Sequence, residues 1–419
     1  MRRKRFSRQN PSPEVKLPPR AVGSGPASPA NPGPGAPTPR PPGFGGDCHY
    51  RDPLGLTVAS IGAAREAPMA ENLREDSPTI ALNEDSVVDF LCQRGLIPPG
   101  TPCAVESAGD GNINWVRRVR APDGQSWIIK QAREQLEKFP QYRADTRRIL
   151  IEASWIRHAA TVDPDHCCPT ILDFDPDQRV LVLEDLGTCP RLDHELLSTR
   201  DLTSALETIG GLLGRVHQST QDQAVLRSKF RNEDMRQLHF AHIFELPFGD
   251  NDFPLPQPVR EGAGNLRDDE PLQRRITALH QQCRDEELVL VHADPQPGNI
   301  LLSAQGTKLL DAEIAHMGCA ALDPGLLLGH LGLAAIALKD ESSLRRRAAA
   351  LWRGYSEGAR DLAAWETTVQ IAGVEILRRT IGAARVAAVG EVTASLTAID
   401  TGCSWISEPA ATIEELEIR

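Results

Sequence analysis

The feature that most constrains this chain is a change of pattern near residue 186. Upstream, short apolar runs at 104–107, 113–120, 125–130, 171–174 and 180–184 alternate with turn-forming residues. The break Ala121-Pro122-Asp123-Gly124 is a hairpin signal, because proline presets φ and glycine accepts positive φ. A helix is expected over 143–158, between the third and fourth strands. A shorter helix over 86–94 precedes the first strand, with Ser86 as its cap and Gly95 and Pro98-Pro99 ending it. Downstream of residue 186 the apolar spacing turns helical. The stretches 202–217 and 271–284 read as amphipathic helices, and more follow Asp323. The expectation is an α+β, bilobal fold, with a small antiparallel sheet carrying one helix and then a larger, mostly helical lobe. A cleft between such lobes is a common place for a ligand.

The divisions expected are a tail over 1–74, an N-lobe over 75–185 and a C-lobe over 186–419. The first 47 residues are rich in Pro, Gly, Ala, Ser and Arg without apolar periodicity, which reads as disorder. A start at Met69, where more ordinary sequence begins, is the alternative reading of the first 68 residues. No apolar h-region follows the basic N-terminus, so a secretory signal is not expected. The most apolar stretch, 326–338, is shorter than the ~20 residues a membrane span needs and reads as a buried core helix. A net charge of -11 and an aromatic content of 5% argue against nucleic-acid binding. The nine cysteines form no CxxC pair, so reduced thiols in a cytoplasm are expected rather than a zinc site.

Chemistry concentrates in Val291-His292-Ala293-Asp294-Pro295-Gln296-Pro297-Gly298-Asn299, followed by Lys308-Leu309-Leu310-Asp311-Ala312-Glu313. Phosphoryl transfer from ATP needs a carboxylate to orient the acceptor hydroxyl and oxygen ligands for Mg²⁺. Asp294 suits the first role; Asn299 and Asp311 suit the second. The plainer alternative is two loops with helix-capping Asp and Asn. A second group is Gly109-Asp110-Gly111-Asn112, a glycine loop between strands whose amides can approach phosphates. Lys130, at the end of the following strand, would neutralise the α- and β-phosphates, with Glu152 of the next helix holding it by an ion pair.

These residues together resemble the aminoglycoside phosphotransferase family, with its protein-kinase-like fold, and within it the methylthioribose kinase branch. The likeness extends from about residue 80 to residue 395. It is carried by Gly109-Asp110-Gly111-Asn112-Ile113-Asn114, by Ile129-Lys130-Gln131-Ala132, by Asp311-Ala312-Glu313 and by Glu375-Ile376-Leu377-Arg378-Arg379-Thr380-Ile381-Gly382. The resemblance implies Glu313 as a further metal ligand and an adenine hinge whose backbone at Glu184 and Leu186 would hold the base. It also implies a sugar pocket at Arg378 and Arg379, and it allows a homodimer. Two departures stand out. The loop reads His292-Ala293-Asp294-Pro295-Gln296 where that branch carries His-Gly-Asp-Leu-His, and Asn299 is like the wider family.

Consecutive helical residues point about 100° apart, so Arg378 and Arg379 are not expected to face one ligand squarely. The more common outcome is one surface and one semi-buried arginine. Guanidinium suits a sugar phosphate better than a polycation. His217, His316 and His330 read as packing residues. Asp323 is expected either to order the catalytic loop or to cap a helix. The function expected is an ATP- and Mg²⁺-dependent kinase of a small-molecule hydroxyl, with S-methyl-5-thioribose as first choice. The alternatives are the same chemistry on an aminoglycoside, choline or homoserine, and a non-catalytic nucleotide-binding module.

Overall fold

The computed structural model describes residues 80–109, 113–135 and 144–417. The tail expected to be disordered lies outside them, as do Asp110, Gly111 and Asn112 of the glycine loop.

Helix α1 (Ser86–Gln93) leads into a sheet of β1 (Ala104–Ser107), β2 (Trp115–Arg120), β3 (Ser126–Gln131), β4 (Ile171–Asp175) and β5 (Val180–Glu184), with α2 (Arg148–Ala160) inserted between β3 and β4. The strand order is β1-β2-β3-β5-β4, antiparallel throughout. Alternation along β5 explains why both faces are covered. Val180 and Val182 join Trp115, Trp127 and Ile129 under α1, while Leu181 and Leu183 face the core that includes Trp155 of α2. The same alternation puts Ile129 toward α1 and Lys130 toward α2.

Three local expectations need correction. Ser86 does not cap α1; Asn83 Oδ1 accepts from the amides of Asp85 and Ser86 at 3.0 and 2.8 Å, and Ser86 Oγ accepts from the Asn83 amide in return. Helix α2 begins at Arg148, because Asp145 accepts from the Arg147 amide in an Asx-type turn that delays the helix. Strand β2 begins at Trp115 rather than 113, since the Asn114 side chain is drawn to Glu313 and Arg148.

The second lobe holds α3 (Leu192–Glu195), α4 (Thr203–Thr220), α5 (Ala224–Lys229), α6 (Glu233–Phe240), α7 (Gln257–Asp268) and α8 (Glu270–Asp285). Short strands β6 (Val289–Val291), β7 (Ile300–Ser303), β8 (Gly306–Leu309) and β9 (His316–Gly318) follow. The lobe closes with α9 (Leu322–Leu338), α10 (Glu341–Gly358), α11 (Trp365–Ile381), α12 (Val392–Ser407) and α13 (Pro409–Glu415). Strand β6 pairs with β9, and β7 with β8. Helix α9 is buried along most of its length, as its composition predicts, and among the described residues no helix is long and apolar enough to cross a membrane. Helices α9 and α11 meet closely: a Cβ added at Gly329 would lie 2.8 Å from both Ala372 O and Glu375 Cβ. This close approach fixes where Glu375 stands. The protein is thus α+β and bilobal, a five-stranded antiparallel lobe with a larger helical one.

Candidate active site

The loop after β6 is held from beneath. Asp323, in the first turn of α9 and fully buried, accepts from the backbone amides of His292 at 2.7 Å and Ala293 at 2.8 Å. His217 Nε2 lies 3.1 Å from the same carboxylate, and its Nδ1 is 2.8 Å from the Tyr355 hydroxyl. Asp323 therefore anchors the loop rather than capping α9, and His217 is part of that anchor. Burial pushes the Asp323 carboxyl up, but His217 and His292 together outweigh it and keep the carboxyl below the usual range. Ala293 takes a left-handed conformation, φ 69°, so that the chain turns and presents Asp294.

Asp294 Oδ2 accepts from Gln296 Nε2 at 3.0 Å and from Asn299 Nδ2 at 3.1 Å. Asn299 Nδ2 also donates to the Asp294 carbonyl, 3.0 Å away. Asp294 Oδ1 takes no hydrogen bond from the described residues. Removal from water pushes the Asp294 carboxyl up to about 6, although Arg379 and Arg378 pull the other way. Burial lowers His292 to about 4, so its ring is neutral, packed edge-on against Trp155.

Lys130 Nζ reaches Glu152 at 2.7 Å and Asp311 at 2.6 Å. Asp311 and Glu152 outweigh the burial of the ammonium and raise its pKa. Lys130 in turn holds Asp311 below the usual carboxylate range against the surrounding protein. The ammonium thus lies close to three carboxylate oxygens, both of Glu152 and one of Asp311. Ile300 pairs with Leu309, and the Leu310 amide donates to Asn299 O at 2.9 Å, so Asn299 and Asp311 stand at the same end of the β7–β8 hairpin. Asn299 commits its amide nitrogen to Asp294 and keeps its oxygen; the Asp311 side chain is 48% exposed. Two neutral-to-anionic oxygen donors on one hairpin end suit Mg²⁺.

Glu313 is engaged elsewhere. Its Oε2 accepts from Asn114 Nδ2 at 2.7 Å and lies 3.3 Å from Arg148 Nε, and Asn232 Nδ2 donates to its carbonyl at 2.9 Å. Through Oε2 the carboxylate joins the two lobes. Nothing in the sequence marks Asn114, Arg148 and Asn232 as its partners.

Arg378 and Arg379 are both buried, and neither is the surface residue expected of an adjacent pair. Glu375 explains it. Standing one turn back, at i−3 and i−4, it accepts from Arg378 Nη1 at 2.9 Å and from Arg379 Nε at 2.6 Å. These two arginines hold Glu375 well below the usual carboxylate range despite its burial. His330 Nε2 lies 3.2 Å from the same carboxylate, which adds it to the cluster. Arg379 Nη2 donates to Gln296 Oε1 at 3.0 Å. Gln296, Glu375 and His330 join this cluster, although the sequence offers His330 only as a packing residue, Gln296 only as a departure in the loop and Glu375 only as the start of the arginine motif. The double acidic-basic spacing 375/378/379 was the available signal for Glu375.

In the segment expected to serve as the hinge, Glu184 closes β5 opposite Trp127 of β3 and accepts from the Thr170 amide at 2.8 Å. Leu186 O accepts from Cys189 Sγ, and Arg118 clamps the intervening Asp185 at 2.7 and 3.0 Å. Gly109 turns the chain after β1 with φ 71°. A second acidic group, Asp163, Asp165 and Cys167, is tied internally, with Arg215 3.0 Å from Asp165 and the Asp165 amide donating to Asp163 at 3.2 Å. The eight cysteines among the described residues are free thiols.

Residues 104–365 match the family described as "Phosphotransferase enzyme family". The methylthioribose kinase of Pectobacterium carotovorum subsp. carotovorum (strain PC1) is 28% identical over 341 residues, covering 70% of this chain and 83% of that protein. The methylthioribose kinase of Geobacillus sp. (strain WCH70) is 25% identical over 347 residues, covering 74% and 86%. A solved choline/ethanolamine kinase family protein from Mesorhizobium loti aligns with a TM-score of 0.43 at 18% identity, over 79% of this chain and 98% of that one. The matched span runs from the first residue of β1 to the first residue of α11 and takes in the lysine strand, the anchored loop and Asp311; the chain belongs to the phosphotransferase enzyme family.

Proposed function

We propose that this phosphotransferase moves the γ-phosphate of ATP to a sugar hydroxyl, with S-methyl-5-thioribose as acceptor and its 1-phosphate as product, a step of methionine salvage in the cytoplasm. One observation carries the reading: Arg379 is joined to Asp294 through a single side chain, Gln296. Arg379, with Arg378 held beside it by Glu375, would then stand near the base and support an acceptor that gains phosphate charge. The relatives named methylthioribose kinase support the same acceptor.

In this reading, Asp294 Oδ1 accepts the proton of the attacking hydroxyl, while Oδ2 is held by Gln296 and Asn299. Lys130, oriented by Glu152, would neutralise charge on the phosphates. The loop amides near Gly109 and the backbone at Glu184 and Leu186 would hold the rest of the nucleotide. Asn299 and Asp311 would hold Mg²⁺. The ion would supply charge neutralisation between the transferring and leaving phosphates. Arg378 and Arg379 would steady the acceptor end, beside the Glu375 carboxylate that holds them both.

An ADP-release assay across methylthioribose, choline, homoserine and kanamycin tests the acceptor. The expected result is turnover of methylthioribose well above the others. Faster turnover of any of the other three would move the assignment to that compound.

A further inference from the structure

Gln296 is the side chain that the loop's geometry singles out and that the chemistry so far leaves without a role of its own. It lies between two prolines, Pro295 and Pro297, in extended backbone with φ −67° and ψ 151°. Pro297 confines the backbone of Gln296 to the extended region, and Pro295 fixes its own φ just before it. Its amide is fixed at both ends, and only one way round. Oε1 accepts from Arg379 Nη2 at 3.0 Å, and a guanidinium can only donate. Nε2 therefore faces Asp294 Oδ2, 3.0 Å away. Asn299 Nδ2 donates to the same oxygen at 3.1 Å. Two carboxamide donors converge on Oδ2, and Oδ1 receives none from the described residues. Arg379 is itself held by Glu375, which also meets His330 at 3.2 Å.

We infer that Gln296 is a positioning residue: it fixes the rotation of the Asp294 carboxylate so that Oδ1 faces the acceptor, and it ties that rotation to Arg379 in the acceptor pocket. The inference rests on Asp294 acting as the base. Gln296 does not touch the reacting atoms. It reserves one oxygen of Asp294 by occupying the other, and an acceptor that engages Arg379 meets a base already turned toward it. The effect belongs to kcat, because a turned carboxylate misplaces the base without removing any group that binds substrate.

Three substitutions separate this role from simple packing. Gln296→Glu keeps shape and reach and keeps the acceptor for Arg379, but loses the donor to Asp294. Gln296→Met keeps the volume and loses both bonds. Gln296→His restores a donor and an acceptor on opposite sides of one ring. ADP release is measured with Mg-ATP and S-methyl-5-thioribose, or with water as acceptor if the wild-type chain does not turn that sugar over, and melting temperature is followed in parallel. The Glu and Met variants should lose about 10- to 100-fold in kcat with KM for both substrates little changed, and the His variant should keep most of kcat. If the Met variant does not fold, the Glu and His variants decide, and equal kcat in those two overturns the inference. So does a Met or Glu variant with wild-type kcat, or one whose loss falls in KM alone. Asp294→Asn is run beside them. If it is inactive while Gln296→Glu is fully active, only the role of Gln296 falls. If it is active, or if the wild type releases no ADP with either acceptor or with any other compound of the panel, the role of Asp294 as base fails and takes this inference with it.

Discussion

Lys130 and Asp311, 181 residues apart, meet at 2.6 Å across the cleft. One comes from the sheet lobe and the other from the end of the β7–β8 hairpin, so their ion pair joins the lobes where the phosphates would lie. Glu152 holds the same ammonium from α2. Lys130→Met leaves Glu152 and Asp311 facing one another without a cation. The expected loss is about 10²- to 10³-fold in kcat/KM for ATP, read from ATP titrations in an ADP-release assay. A variant that folds and keeps its kcat/KM would remove Lys130 from the phosphate site.

The pH dependence follows from Asp294. Its carboxyl lies at about 6 because it is withdrawn from water, with Arg379 and Arg378 opposing the shift. Only the ionised form accepts a proton. Activity should therefore rise with pH, pass half-maximum near that value and level off above it. A pH–rate profile of kcat/KM from about pH 5 to about pH 8 checks this; a flat profile would contradict it.

Asp323 holds the loop after β6 through two backbone amides. Asp323→Asn replaces one acceptor oxygen by an amide group, which meets a backbone N–H of His292 or Ala293 donor to donor. The expected cost is about 2–3 kcal/mol in urea unfolding, with activity falling as the loop loosens.

Ala293 makes a different prediction. It is fully buried with φ 69°, a conformation that costs a residue bearing a Cβ about 1–2 kcal/mol. Ala293→Gly relieves that cost and adds freedom to the unfolded chain, so stability should change by less than about 1 kcal/mol and activity should persist. Ala293→Val should destabilise by more than that, since its branched side chain has neither the space nor the backbone. Urea midpoints of the pair provide the comparison.

Much of this was legible in the sequence because it is local. Alternation exposed the strands, and turn residues set their order. The spacing of Asp294, Asn299 and Asp311 follows from one loop and one hairpin. Lys130 and Glu152 were legible because strand and helix follow one another directly. What escaped was non-local or depended on side-chain direction. Asn114 reaches Glu313 across 199 residues, and no local pattern encodes that pairing. Gln296 meets Arg379 only because α11 is brought beside the loop. As neighbours on a helix Arg378 and Arg379 point about 100° apart, yet Glu375 one turn earlier gathers both. Asn83 displaced Ser86 as the cap because both side chains offer an oxygen, and the chain conformation chose between them.

The most direct test of the account is ADP release by the wild-type chain and by Asp294→Asn, each with Mg-ATP and S-methyl-5-thioribose. The account predicts acceptor-dependent turnover by the wild type and a loss of about 10³-fold or more in kcat in the variant, with both proteins folded. Near-normal turnover by Asp294→Asn would contradict it.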